Sequence, residues 1–268
     1  MTEVCRPLLR WAGSKRRLLP VLRTCAPAEF VRYIEPFCGS ICLFVDLKPH
    51  SAILSDNNPE LIHFYKTLRH RPSHIGKLAT SMPITESFYY ELRSLDPLQL
   101  SSNDRAARFL YLNRYCFNGV YRTNKQGHFN VPRGKHMGAL PSIEEITNFG
   151  RFIRSADFQA ADFEDLLNVA GVGDFIYLDP PYAGAARDRG EYGANAFKQI
   201  DIVRLAESCR RASLRGAKVL LSYADIPIIR ELLEGWNIRE LDVLRSVSGF
   251  AKGRGMVQEI LISNYLEN

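Results

Sequence analysis

The feature that most restricts the fold of this chain is a repeated alternation of short apolar runs with helical segments. Strand-like runs stand at VRYIEP (31–36), SAILSD (51–56), ADFQA (156–160), DFIYLD (174–179), AKVLLS (217–222), WNIRELD (236–242) and VQEILISNY (257–265). They are continuous rather than alternating, the pattern of strands covered on both faces. Helical segments intervene, such as IVRLAESCRRASL (202–214) and IPIIRELLEG (226–235), where Pro227 suits a first turn and Gly235 a stop. Such alternation implies an α/β fold with an open, mostly parallel sheet and right-handed crossovers. The rhythm breaks once. From Pro59 to Asn148 the pattern is mainly helical and ends as a helix leading into a β-hairpin. Ala106, Phe109, Leu110 and Phe117 share a helical face there, and Asn118-Gly119 and Gly127 mark turns. A lobe over 59–148 is therefore expected as an insertion into a sheet domain made of 1–58 and 149–268.

With 46% apolar residues in 268, the chain can bury a substantial core. Its net charge of +6 leans towards a polyanionic partner. The six cysteines, Cys5, Cys25, Cys38, Cys42, Cys116 and Cys209, lack zinc-like pairing, so reduced core thiols and no metal are expected. The N-terminus lacks a signal-peptide core, and no apolar run nears the ~18–20 residues of a membrane span. A cytoplasmic protein away from membranes is expected.

Asp179-Pro180-Pro181-Tyr182 directly follows a strand, at the end where open α/β sheets bind ligands. An exocyclic amine conjugated to an aromatic ring is a poor nucleophile. Asp179 can accept one of its hydrogen bonds, and the Pro180 carbonyl, held outward by two fixed φ angles, the other. Two acceptors at tetrahedral angles would pull the nitrogen towards sp³ and aim its lone pair at an electrophilic methyl. Tyr182 offers a flat face to a base outside the duplex. The bland reading is a strand-terminating turn. Glu35-Pro36-Phe37-Cys38-Gly39-Ser40 gives a glycine for close backbone approach and a following helix N-terminus, although an ordinary strand–helix turn reads the same way. Asp56, ending the second strand, suits ribose hydroxyls or a helix cap, and Asn58 could cap equally well. Lys15, in Arg10-Trp11-Ala12-Gly13-Ser14-Lys15, suits a ligand carboxylate.

The order RWAGSK, EPFCGS, SDNN, ADF (161–163), DPPY, then RSVSGFAKGRGMVQEILISNY (245–265) resembles the Dam-type, D12 family of adenine-N6 DNA methyltransferases. The likeness covers nearly the whole chain, including YLNRYCFNGVYRTNKQGHFNVPRG in the lobe. It implies a Rossmann-like seven-stranded sheet with an antiparallel last strand. It also implies methyl transfer from S-adenosylmethionine, leaving S-adenosylhomocysteine, to N6 of a flipped-out adenine. The implied catalytic set is Asp179, Pro180, Pro181 and Tyr182. The implied cofactor set is Trp11, Lys15, Glu35, Pro36, Phe37, Gly39, Ser40, Asp56, Asp162, Phe163 and Asp179. One departure stands out: the family often has F-x-G-x-G, and here Ile41 replaces the second glycine.

Between Arg105 and Ile143 there is no acid, while Arg105, Arg108, Arg114, Arg122, Lys125, Arg133 and Lys135 supply seven cations. That pattern suits phosphate gripping and base reading, or simply a solvated basic face. By similarity the hairpin enters the major groove, with Arg122 on a guanine and Phe117 intruding into the stack. Asn118, Val120 and Pro132 would lie near base edges, with Asn130 and Lys135 completing the hairpin contacts and Arg10 beside the target. A second basic loop carries Arg245, Lys252 and Arg254, and 183–197 reads as a lid. Double-stranded DNA is the expected partner, met by a monomer or a homodimer on a palindromic site in a bacterial or phage nucleoid. Cytosine-N4 methylation, RNA or protein-amide methylation, and a non-catalytic DNA-binding module are the alternatives.

Overall fold

The computed structural model describes residues 5–124, 126–135, 137–183, 197–244 and 256–266. Seven strands form one sheet: β1 (Arg32–Glu35), β2 (Ala52–Asp56), β3 (Ala156–Ala160), β4 (Asp174–Leu178), β5 (Lys218–Ala224), β6 (Asn237–Leu244) and β7 (Met256–Ser263). Ten α-helices accompany them among the described residues. Those before β3 are α1 (Leu19–Cys25), α2 (Cys42–Leu47), α3 (Pro59–His70), α4 (Pro72–Ser81), α5 (Glu86–Ser94), α6 (Ser102–Tyr115) and α7 (Ile143–Phe152). The rest are α8 (Phe163–Asn168), α9 (Gln199–Leu214) and α10 (Pro227–Leu232).

The sheet order is β3-β2-β1-β4-β5-β7-β6. The first five strands run parallel, and β7 inserts antiparallel between β5 and β6. This is a Rossmann-like seven-stranded sheet with its last strand antiparallel, as expected. The strands read as continuous apolar runs because successive residues enter two different cores. Tyr33, Leu54, Phe158, Phe175, Tyr177, Leu220 and Leu261 belong to one. Ile34, Ile176, Leu178, Val219, Leu221, Ile260 and Ile262 belong to the other, beneath α8, α9 and α10. A strand buried on both faces has no polar side to alternate with.

Between β2 and β3 the chain is helical. α3 lies within the 59–148 segment and α7 crosses its end at residue 148, yet Leu61, Phe64, Tyr65, Ile146 and Phe149 pack into the first core beside the sheet. Farther out, α5, α6 and the loop after them form a smaller cluster around Tyr89, Tyr111, Tyr115, Phe129 and Val131. The hairpin takes the form of two antiparallel bridges, Cys116↔Arg133 and Thr123↔Phe129, with Gly127 N–H bonding the Asn124 carbonyl at 3.0 Å. Phe117 departs from the expected helical face. α6 stops at Tyr115, and Asn118 and Gly119 turn left-handed at φ 54° and 65°, which no α-helix continues through.

Candidate active site

Strand order reverses between β1 and β4, and crevices in open α/β sheets form at such a reversal, beyond the strands' carboxyl ends. Glu35 ends β1, Asp56 ends β2 and Asp179 follows β4, so three acids from separate strands meet at one edge. Antiparallel β7 adds a fourth, because Glu259 is in register with Ala224 at the end of β5. The N-terminal segment brings Trp11 and Lys15 over them. The cavity they enclose has a volume of about 840 Å³ and extends towards Tyr121 and Phe129 of the lobe.

Lys15 organises the charge. Its ammonium lies 3.2 Å from Asp179 Oδ1, 3.1 Å from both Glu259 oxygens, and donates to the Tyr182 hydroxyl at 3.1 Å. Tyr182 in turn donates to Glu259 Oε1 at 2.5 Å. Burial alone would lower the Lys15 pKa, but the charges of Asp179, Tyr182 and Glu259 outweigh it and raise it. Burial pushes Asp179 up to about 6, against the pull of Lys15 and with a further push from Glu259. Asp56 also rises to about 6 through burial, opposed by the N–H groups of Asn58 and Gly39. Glu35 is held well above the ordinary carboxylate range by burial, although Tyr33 donates to it at 3.0 Å. The Tyr182 ring stands edge-on to Tyr223, whose hydroxyl accepts the Ala183 N–H at 3.1 Å and anchors the turn after the two prolines.

The loop after β1 is built around Asp56, which accepts from Gly39 N–H at 3.2 Å and from Asn58 N–H at 3.0 Å. The cap of α3 is Asn58, accepting from Glu60 and Leu61, so Asp56 is released from that task. Gly39 sits at φ 44°, and a Cβ there would meet the Trp11 ring at 2.7 Å. Ile41 also takes a left-handed conformation, φ 50°, with its side chain wholly buried. A β-branched residue there is a true outlier. The glycine it replaces is the residue that backbone favours, and burial in the first core is what holds isoleucine in its place. Ser40 donates to Ser14 Oγ at 3.2 Å, tying this loop to the Gly-Ser turn before Lys15.

Phe37, Phe163 and Phe197 make an aromatic wall, with Phe37 stacked on Phe163 at 5.5 Å. Asp162 lies at its rim, capping α8 and ion-paired to Arg204 at 3.0 Å. Pro36 is buried and accepts from Ser55 Oγ through its carbonyl at 3.4 Å. An aromatic wall, a carboxylate at the end of β2 and an excess of acids over cations together suit a flat heterocycle with a hydroxylated ring and a cationic centre. Sequence reasoning missed Phe197 and Glu259. The signal for Glu259 was a single acid inside the apolar run VQEILIS.

The lobe presents its own polar groups. Asn113 on α6 bonds both the N–H and the carbonyl of Arg10, at 2.9 and 2.7 Å. Phe117 is 43% exposed, and Asn118, Pro132 and Lys135 are exposed beside it. Val120 lines the cavity. Arg122 donates from Nε to Asn130 Oδ1 at 2.8 Å, which orients its guanidinium. Besides Arg122, four of the seven cations bond within the fold: Arg114 Nε donates to the Ala139 carbonyl at 2.5 Å and Arg133 to the Ile84 carbonyl at 3.3 Å. Arg108 is buried and donates to the Leu92 and Arg93 carbonyls at the end of α5, and Arg105 pairs with Glu60. Arg245, Lys252, Arg254 and 184–196 of the expected lid lie outside the described residues.

Comparison with known proteins gives a consistent picture. Residues 11–247 match the family described as D12 class N6 adenine-specific DNA methyltransferase. The chain is 33% identical to the type II methyltransferase M1.LlaDCHI of Lactococcus lactis subsp. cremoris, over 97% of this chain and 95% of that protein. It is 31% identical to the DNA adenine methylase of Haemophilus influenzae, over 96% and 92%. It is 35% identical to the DNA N-6-adenine-methyltransferase of Escherichia phage P1, over 97% of this chain but 35% of that longer protein.

Proposed function

The chain belongs to the D12 class N6 adenine-specific DNA methyltransferase family, and on that premise we propose how its residues carry out the transfer. The cofactor is S-adenosylmethionine, which when bound supplies an electrophilic methyl group on a sulfonium. The residues present fit it. Acidic Glu35, Asp56, Asp179 and Glu259 against the ammonium of Lys15 favour a cationic guest. Asp56 would hold its ribose and Phe37 and Phe197 its adenine, with Phe163 backing Phe37 and Asp162 behind that wall, both outside the cavity lining. Trp11, Gly39 and Ser40 complete the walls, while Pro36, expected among the contacts, is buried behind them and does not line the cavity.

Asp179 is the residue that makes the amine reactive. Lys15 engages its Oδ1, leaving Oδ2 to accept one N–H of the target amine, while the Pro180 carbonyl accepts the other. Pro181 fixes that carbonyl's direction, and the Tyr182 ring stacks on the flipped adenine. The proton the amine loses passes to Asp179 Oδ2. The observation that carries this reading is the meeting of Asp179, Asp56 and Lys15 in one crevice.

The acid limb tests it. A carboxylate with its pKa raised to about 6 is protonated, and no longer an acceptor for the amine, as pH falls through that value. Methyl transfer to duplex DNA, followed with labelled cofactor, is therefore expected to fall about tenfold per pH unit below about 6. Digestion of the product should yield N6-methyladenine. A flat rate down to pH 5, or label in cytosine, defeats the proposal.

The 59–148 lobe is the proposed DNA-recognition unit, acting as monomer or homodimer on cytoplasmic DNA. Phe117 enters the base stack with Asn118, Val120 and Pro132 near base edges, and Arg10, Asn130 and Lys135 hold the duplex. Arg245, Lys252 and Arg254 are proposed as backbone contacts. Arg122, pre-aligned by Asn130, reads a guanine. Arg122→Ala is expected to lose about 1–3 kcal/mol of discrimination at one base pair. Methylation of a set of single-base variant duplexes measures it, and unchanged ratios across the set rule the contact out.

A further inference from the structure

Glu259 is 3% exposed and stands among Ile260, Leu261 and Ile262, which are as deeply buried. A lone carboxylate in such a place is costly unless paired. Its partners come from the opposite end of the chain and from the loop after β4. Both oxygens accept from Lys15, 244 positions away, and Oε1 also accepts from Tyr182. Lys15 in turn reaches Asp179 with its remaining charge. Nothing in the transfer itself uses Glu259.

We propose that Glu259 is a positioning residue for methyl transfer, gripping Lys15 and Tyr182 from β7 so that Asp179 keeps a fixed ion partner and the target base a fixed stacking face. The inference rests on the role given above to Asp179. Glutamate holds both groups because each of its oxygens is an acceptor. A glutamine would turn an amide N–H₂ towards an ammonium and carry no charge. Lys15 would then lean wholly on Asp179, pulling its carboxylate from the amine, and Tyr182 would lose its tether.

The groups facing Asp179 are Lys15 from the N-terminal segment, Glu35 on β1 with Tyr33 and Asp56 behind it, Tyr177 on β4, Tyr182 in the loop and Glu259 on β7. Glu259 raises the Asp179 pKa and Lys15 lowers it. Removing the charge of Glu259 while keeping Lys15 therefore moves Asp179 downwards on both counts.

The test compares Glu259→Gln with Glu259→Asp, which keeps the charge but shortens the reach. Glu259→Gln is expected to lower the single-turnover rate about tenfold, leave KM for DNA within about twofold, and shift the acid limb below the wild-type midpoint. The Asp179 carboxyl ¹³C titration of the ligand-free protein should move the same way. Glu259→Asp should keep the wild-type midpoint and recover part of the rate. A double-mutant cycle with Tyr182→Phe should be non-additive, the pair falling no further than the worse single variant. If Glu259→Gln gives little folded protein, the cycle with Glu259→Asp carries the same information. An unmoved midpoint with a lowered Tm, or strict additivity, makes Glu259 a structural acid only and overturns the proposal. Near-normal turnover in Asp179→Ala would instead overturn the role of Asp179 itself.

Discussion

Asp179→Ala is expected to lower methyl transfer by about 10³-fold while duplex affinity stays within about twofold. In the proposed mechanism the carboxylate supplies one of two acceptors that localise the amine's lone pair, and no neighbouring acid is placed to take over. Glu259 and Glu35 are both buried and committed, to Lys15 with Tyr182 and to Tyr33 respectively. The fold should tolerate the change. Lys15 keeps Glu259, so no ammonium is stranded. Asp179 itself is held above its ordinary pKa, which means that its charged form opposes folding rather than favouring it. The native state binds the extra proton between about pH 4 and 6, so the ligand-free wild type loses stability as pH rises through that window. Alanine removes this group's share of the penalty and makes that part of the curve shallower, while Asp56, also raised to about 6, keeps its own. Single-turnover transfer, gel-shift affinity and thermal melting across pH 4–7 measure the three effects. Turnover within about tenfold of wild type would sink the assignment.

Gly39→Ala should cost the second most. At φ 44° an L-residue is strained by about 1–2 kcal/mol, and the added methyl would lie 2.7 and 2.9 Å from Trp11 ring atoms. The backbone cannot easily yield, since Gly39 N–H is bound to Asp56 and its carbonyl to Tyr65 at 2.8 Å. The indole must move, and with it the segment that carries Lys15. Binding of S-adenosylmethionine, measured by calorimetry, is expected to weaken about 100-fold with a Tm loss of several degrees. Unchanged cofactor affinity would show that the Gly39–Trp11 contact does not shape the pocket.

The strands were legible because burial on both faces writes itself into sequence as unbroken apolar runs, and all seven appear near the positions that pattern implies. Site residues at strand ends were legible for a related reason, because an acid or turn directly after an apolar run marks the edge of a sheet. Pairings far along the chain were not legible. Nothing local states that β7 slips between β5 and β6, so nothing local states that Glu259 reaches Lys15. A count of cations likewise says nothing about direction. Arg108 reads as one more basic residue, yet its helix aims it at carbonyls left open at the end of α5. Asp56 and Asn58 were equal candidates for one cap until hydrogen bonding separated them.

The union of Lys15 and Glu259 bears on when this enzyme becomes active. A ribosome releases residue 15 well before residue 259, so a growing polypeptide holds Lys15 and Asp179 for a time without the acid of β7. Long-range closure of this kind is slow compared with helix formation. A nascent chain of this enzyme therefore carries an incomplete reaction centre until β7 threads between β5 and β6, and on the proposed role of Glu259 full methylating power arrives with that strand.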